Sequence, residues 1–261
     1  MAAPTPVSSL VHSFTLVTAG VYLLIRYNRY LVNNHLMGLI LFISRCTIII
    51  AGLIANFEND LKKIIALSTL RQLGLIIRIL RLGEVELGFM HLLIHALFKS
   101  LLFICRGILI HQINNNQDIR FMGRLVRYYP FVRLVFFVSL LSLCGFPFFS
   151  GYYSKDLIIE VFLMSKINII SILMLLISTL FTVSYSVRLI VIVYLSYMNK
   201  INYFILFRER LIIRISLIIL YFYSLIIGYF LVNLINFTLI ILNLFEKLIV
   251  IQICLIGCIL G

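Results

Sequence analysis

Long apolar runs separated by short polar breaks follow one another along the whole chain. A helix needs about 20 apolar residues to cross roughly 30 Å of hydrocarbon, and the runs have this length. The pattern predicts an all-α integral membrane protein with about eight transmembrane helices in a single membrane domain, residues 1–261. The predicted spans are residues 8–26, 37–56, 62–80, 87–110, 131–163, 168–197, 212–232 and 234–260, with loops at 27–36, 56–61 and 82–86 and a longer polar segment at 111–129.

The span at 131–163 is interrupted by Gly145 and Pro147, and again by Gly151. Proline removes a helical hydrogen bond, and an unwound backbone is tolerated at membrane depth only where protein or water surrounds it. We therefore expect one discontinuous helix, with the charged side chains of Lys155, Asp156 and Glu160 just after its break.

The composition excludes a water-soluble globular protein. Hydrophobic residues make up 63% of the chain and charged residues only 12%, against roughly 25% in soluble domains. The sequence shows no glycine-rich nucleotide loop and no nucleophile with its base, so we expect no redox centre and no bound cofactor in this chain. Five cysteines lie in apolar runs without metal-ligand spacing and are interpreted as packing residues, namely Cys46, Cys105, Cys144, Cys254 and Cys258.

His91, His95 and Lys99 lie four residues apart in one apolar span, which places them on one helix face. An ionisable group at the bilayer centre costs from about 2.5 to over 10 kcal/mol, and such groups mark ion or proton paths. The pattern therefore favours a hydrated proton relay. The histidines could alternatively be packing residues, and Lys99 could extend to the interface. Two histidines without a third ligand do not make a zinc site, so no metal is expected.

Further candidates follow from the same reasoning. Lys155 beside the helix break could exchange a proton, with Asp156 and Glu160 tuning it; the alternative is an interfacial salt-bridged cluster. His12 lies among serine and threonine hydroxyls that could hold water, and is either a further relay residue or a packing residue. Asp60 belongs to a charged loop that is most simply a solvated turn before the next helix.

Several segments resemble the subunit 5 family of respiratory complex I, in the order and spacing of that family. They are PTPVSSLVHSFTLVTAGVYLLIR (4–26), NFENDLKKIIALSTLRQLG (56–74), FMHLLIHALFKSLLFICRG (89–107), NQDIRFMG (116–123) and GFPFFSGYYSKDLIIE (145–160). The resemblance divides the chain into an antiporter-like core, residues 1–165, and C-terminal transmembrane helices, residues 166–261.

The resemblance implies proton translocation across the mitochondrial inner membrane, coupled to electron transfer from NADH to ubiquinone in other subunits. Those subunits would hold NADH, FMN, the iron–sulfur clusters and ubiquinone. The implied partners are other membrane subunits of the complex, especially the neighbouring antiporter-like chain 4, and the lipid bilayer. A nucleic-acid partner is not expected.

Carried over by position, the resemblance implies that His12, His91, His95 and Lys99 belong to a central water-filled axis, with Lys155 as its terminal lysine. Asp60 matches a family loop. Spans that would precede Met1 and a lateral helix after the last span are missing from the expected pattern, so the sequence is expected to be truncated at both ends. The alternatives are a stand-alone cation–proton antiporter subunit and a non-functional gene fragment.

Eight arginines lie in or beside the spans, mostly without a nearby acid: Arg45, Arg71, Arg78, Arg81, Arg106, Arg124, Arg127 and Arg133. Each costs about 2.5–3.5 kcal/mol at a helix centre. We hypothesise that the gene was translated with the standard code although AGA and AGG specify serine in invertebrate mitochondria. Eight serines would lower the formal charge by eight, from +13 to +5. Arg26, Arg120 and Arg188 fit the family motifs.

Overall fold

The computed structural model describes residue 15 and residues 17–33, 36–112, 116–122, 130–165, 168–195, 211–235 and 244–261. Ten α-helices occur within these residues, and they contain no β-strand. The helices are α1 (Val17–Arg26), α2 (Asn28–Asn33), α3 (Leu36–Phe57), α4 (Leu61–Arg81), α5 (Val85–Gln112), α6 (Pro130–Cys144), α7 (Ser150–Met164), α8 (Ile169–Ile190), α9 (Leu211–Ile235) and α10 (Leu244–Leu260). A π-helical turn, Val191–Leu195, continues α8.

The helices confirm the predicted all-α membrane fold, with α6 and α7 forming the two halves of the interrupted span. Four helical segments are long and apolar enough to cross a membrane by themselves, namely Gly38–Phe57, Val85–His111, Ile169–Tyr194 and Ile213–Leu234. One predicted loop was wrong, since residues 28–33 form α2. This short helix follows a turn in which the amides of Tyr30 and Leu31 both bond to the carbonyl of Tyr27.

Helix α5 is the centre of the bundle. It packs against α1, α4, α6, α7 and α9, and α3 and α4 form a closely packed antiparallel pair. Apolar side chains of α5, including Met90, Ile94 and Phe98, form the main core with residues of α6 such as Phe136. His91, His95 and Lys99 on α5 are therefore buried among other helices, whereas Glu86 and His111 near its ends are exposed.

Helix α9 lies at the periphery. Only 17% of its spanning window is buried, against 61% for α5. Large apolar side chains cover its outer face, including Phe222, Ile226 and Phe230. Because the outer face offers no polar groups at these positions, it is suited to lipid or to an apolar neighbouring helix.

The predicted break lies between α6 and α7. Gly145 has a positive φ of 83°, and its amide bonds to the carbonyl of Ser142 while the amide of Phe146 bonds to that of Leu141. These bonds form a Schellman motif, which ends a helix with a left-handed residue, usually glycine. The carbonyl of Cys144 is left without a helical partner, and α7 begins six residues later.

Candidate functional site

The structure brings His91, His95 and Lys99 together on the face of α5 that packs against α4. All three are buried, with exposed fractions of 1%, 2% and 2%. The imidazole rings of His91 and His95 stack with centroids 6.3 Å apart. The prediction that these residues share one helix face is confirmed, and at such depth a side chain needs polar partners within the protein.

His91 connects two neighbouring helices. Its Nδ1 lies 2.9 Å from the hydroxyl of Ser154 on α7, and its Nε2 lies 3.3 Å from Oε1 of Gln72 on α4. Because an amide oxygen only accepts, this arrangement places the imidazole proton on Nε2 and lets Nδ1 accept from the serine hydroxyl. A histidine bonded through both nitrogens can take a proton on one side and give one on the other.

Lys99 donates a hydrogen bond to the hydroxyl of Ser68 on α4. That hydroxyl donates in turn to the carbonyl of Ile65, at 2.6 Å. The ammonium group of Lys99 is therefore bonded to a neutral oxygen in the interior of the bundle.

Lys155 occupies the helix break. Its Nζ donates to the carbonyl of Cys144 at 2.7 Å and to the hydroxyl of Thr182 on α8 at 3.0 Å. The carbonyl is one of those left free at the end of α6, where the helix dipole favours a positive charge. The chain break thus creates the binding position for the ammonium group.

His95 lies between His91 and Lys99 along α5. Its ring meets the ring of Phe98 edge-on, with centroids 5.4 Å apart. Neither of its nitrogens has a hydrogen-bond partner among the residues that the structure describes. Unlike His91, it therefore offers both ring nitrogens to further polar groups.

The predicted tuning residues are placed differently from one another. Asp156 and Glu160 lie half-buried on successive turns of α7, whereas the hydrogen bonds found for Lys155 go to neutral oxygens. Asp60 lies outside the buried cluster, before the first turn of α4. His12 lies outside the described residues.

Asp60 belongs to a charged rim. Its carboxylate is 3.1 Å from Nζ of Lys63, and its backbone forms an antiparallel bridge with Asp118. Hydrogen bonds from Lys63 and with Asp118 lower the pKa of Asp60. The hydrogen bond with Asp60 raises the pKa of Asp118. Each of these carboxyl groups therefore shifts the pKa of the other, in opposite directions.

Sequence reasoning missed the hydrogen-bond partners of His91, Lys99 and Lys155, which are Ser68, Gln72, Ser154 and Thr182. Ser68 and Gln72 lie one turn apart on α4, and this spacing is the signal that could have identified them. Within the part of the chain that the structure describes, no three metal-ligating side chains gather into a candidate metal site.

A scan against protein families matches residues 1–182 to the family described as NADH:quinone oxidoreductase/Mrp antiporter, transmembrane. NADH-ubiquinone oxidoreductase chain 5 of Apis mellifera ligustica is 55% identical over 74% of this chain and 34% of its own length. The protein of the same name from Aedes aegypti is 57% identical over 73% of this chain and 33% of its own length. The chain thus spans about a third of the length of these curated relatives.

Two solved structures share the fold. A chain of the archaeal membrane-bound sulfane sulfur reductase superposes with a TM-score of 0.75 at 23% identity, over 98% of this chain and 50% of that chain. A chain of the Mrp complex from Dietzia superposes with a TM-score of 0.77 at 17% identity, over 98% and 55%.

Proposed function

Because the chain belongs to the NADH:quinone oxidoreductase/Mrp antiporter transmembrane family, we propose that it forms part of a chain 5 subunit of respiratory complex I. In this role it translocates protons across the mitochondrial inner membrane. Its partners are the other membrane subunits, with the antiporter-like chain 4 as its neighbour. Electron transfer from NADH to ubiquinone takes place in other subunits, which hold the redox cofactors.

One observation carries the proposal, namely the buried series of titratable groups on α5 and α7. Lys99 bonds to a serine hydroxyl, His91 connects α4 to α7, and Lys155 bonds at the helix break. Ionisable groups buried in a membrane domain are expensive and are retained where they conduct ions or protons.

The proposed path runs from Lys99 along the histidines of α5 towards Lys155. His95 continues the line of groups between Lys99 and His91, since its ring stacks on His91. The hydroxyl of Ser154 lies one residue before Lys155 and bonds to His91. This hydroxyl connects the histidine pair to the helix turn that carries the terminal lysine, while Asp156 and Glu160 set the charge near that lysine.

The choice of complex I over a stand-alone antiporter rests on sequence similarity. Chain 5 proteins from three insects are 54–57% identical to this chain. The Mrp chain shares the fold at 17% identity. Likeness at that level supports the architecture and leaves the function to the closer relatives.

The test is to introduce Lys99→Ala and Lys155→Ala into the full-length protein and to reconstitute the assembled complex in vesicles. Each variant should lower proton pumping at least about tenfold, since a proton path that lacks one of its titratable groups has a higher energy barrier. Ser100→Ala is the matched control, because this hydroxyl bonds to the carbonyl of Leu97 in its own helix. Unchanged pumping with unchanged NADH oxidation in both lysine variants would remove them from the mechanism.

A further inference from the structure

Three of the largest fully buried side chains in the structure are arginines, Arg71, Arg78 and Arg106. None of the three side-chain nitrogens of Arg71 or of Arg78 has a hydrogen-bond partner among the described residues. The guanidinium of Arg71 lies 6.0 Å from the ring centre of Tyr185, a contact worth about 1–2 kcal/mol. That contact does not offset the desolvation of a charge with five donors.

Arg188 shows how a required arginine is accommodated in this bundle. It is half-buried on α8, and it donates to the carbonyl of Asn56 and, at 2.9 Å, to the side-chain oxygen of Asn59. Arg26 and Arg120 are exposed. The arginines that fit the family motifs are therefore either bonded or exposed, whereas Arg71 and Arg78 are neither.

The charges near Arg71 and Arg78 are also of the wrong sign. Arg71 lies close enough to both Lys99 and Lys155 to repel each of them. Arg78 is repelled by Arg45, which Arg81 repels in turn. A fixed positive charge near both lysines would oppose the arrival of a proton at either one.

We propose that positions 71 and 78 are serine in the natural protein, through AGA or AGG codons read by an invertebrate mitochondrial code, and that the hydroxyl at position 71 links Lys99 to Lys155. The relay role rests on the proposed function, whereas the identity of the residues does not. The chain is 54–57% identical to relatives from three insects, which are invertebrates and use this mitochondrial code.

A serine fits the structure at position 71. Its hydroxyl can bond to a carbonyl one turn back in α4, as the hydroxyl of Ser68 does to Ile65 at 2.6 Å. Loss of the guanidinium frees space beside the buried hydroxyl of Tyr185, which has no hydrogen-bond partner within the described residues. Polar space with two to four partners holds water, and water there would connect position 71 with both lysines.

Peptide mass spectrometry of the natural protein tests the identity of the residues. Trypsin cuts after Lys63, so serine at both positions gives a peptide that begins at Ile64 and runs uncut beyond residue 78. Peptides that end at Arg71 or at Arg78 would overturn the assignment at that position. Cleavage after Arg120 and Arg188 is the internal control, since the assignment leaves both as arginine.

Proton pumping tests the relay role. The full-length protein is compared with residue 71 as arginine, Arg71→Ser and Arg71→Ala, with assembly checked on native gels. We expect Arg71→Ser to pump at least about tenfold faster than the arginine form, and Arg71→Ala to be about fivefold slower than Arg71→Ser, the effect of one hydrogen bond. Equal pumping by Arg71→Ser and Arg71→Ala would overturn the role of the hydroxyl.

Two controls separate this inference from the proposed function. Arg78→Ser and Arg78→Ala should pump equally, because position 78 is as deeply buried but lies away from both lysines. Adding Lys155→Ala to the Arg71→Ser protein tests whether the pumped protons pass through Lys155. Full pumping by that double variant would contradict the proposed function, whereas the mass-spectrometric result would stand.

Discussion

His91 bonds to one side chain on each of two helices, so it contributes both to packing and to the proposed path. In a membrane protein such a hydrogen bond is worth about 0.6 kcal/mol on average and up to about 1.7 kcal/mol. The contribution of one such hydrogen bond is measured by substituting His91 and its partner singly and together. A single substitution is not enough, because it also leaves the remaining partner without its hydrogen bond.

We predict that His91→Leu and Gln72→Leu are coupled by about 0.6–1.7 kcal/mol in the free energy of unfolding in mild detergent. The double-mutant cycle of His91→Leu with Thr69→Val is the control, since the Thr69 hydroxyl bonds to the carbonyl of Ala66 in its own helix. That control pair should be additive. Additivity between positions 72 and 91 as well would show that the bond to Gln72 contributes nothing.

The carboxyl pair of Asp60 and Asp118 gives a pH-dependent prediction. A raised pKa for Asp118 means that its contribution to stability is present below its unfolded value of 3.8 and is lost as the pH rises through the raised pKa. The lowered pKa of Asp60 acts in the opposite sense, with stability lost as the pH falls through it. Asp118→Asn should abolish the first loss and keep the part of the second that the hydrogen bond from Lys63 causes.

The measurement is the thermal midpoint of the purified protein between about pH 3 and pH 7, a range that covers both carboxyl groups. Glu58→Gln is the comparison, because Glu58 contacts Lys63 at the same rim but not Asp118. A wild-type profile that matches that of Asp118→Asn above pH 3.8 would contradict the raised pKa of Asp118.

At the scale of the helices, the break between α6 and α7 determines where Lys155 binds. Gly145 ends α6 in a conformation that other residues adopt only at a cost of about 1–2 kcal/mol. A Cβ atom at this position would also lie 3.2 Å from Cδ of Lys155. The same residue thus ends the helix and leaves room for the lysine.

Gly145→Ala should therefore lower the free energy of unfolding by at least about 1 kcal/mol and also reduce pumping, because it displaces Lys155. Gly20→Ala is the matched control. Gly20 lies within α1 with nothing within 4 Å of a new Cβ atom, so alanine there should be neutral or stabilising by up to about 1 kcal/mol. Equal effects of the two substitutions would exclude the special role of Gly145.

The sequence predicted most of the helices and the break, because apolar runs of spanning length and a glycine–proline interruption are local signals. The short helix α2 was missed, since its polar residues lie in what hydropathy identifies as a loop. His91, His95 and Lys99 were predicted from their helical spacing. The partners of His91 and Lys99 on α4 and α7 were not predicted, because hydropathy does not give the rotation of one helix about its axis relative to another.

At the scale of the whole molecule, one end of the bundle is tied together by polar contacts. Arg188 on α8 bonds to Asn56 and Asn59 beside the loop that joins α3 to α4. The hydroxyl of Ser184 also donates to the side-chain oxygen of Asn56, at 2.8 Å. The amides of Leu61 and Ile119 pair the same loop with residues 117–119. Segments far apart in sequence are fixed against one another there.

We predict that Arg188→Ala lowers the thermal midpoint of the complex more than Arg26→Ala does. In Arg188→Ala the free energy of unfolding should fall by about 1.5–3 kcal/mol, as for hydrogen bonds that involve a charged group. Arg26, in contrast, is exposed at the end of α1. Hydrogen exchange at the amides of Leu61 and Ile119 reports the local effect. Unchanged exchange in Arg188→Ala would show that the loop holds its position without the arginine.

The hydrogen bond from Lys155 to the carbonyl of Cys144 has a mechanical consequence. An ammonium group stabilises the C-terminal end of a helix strongly only while it carries its charge, because its attraction to the helix dipole is lost when the proton leaves. Under the proposed function, each departure of a proton from Lys155 would therefore weaken its attraction to the end of α6, and each arrival would restore it. The protonation state of this lysine and the geometry of the break would then change together.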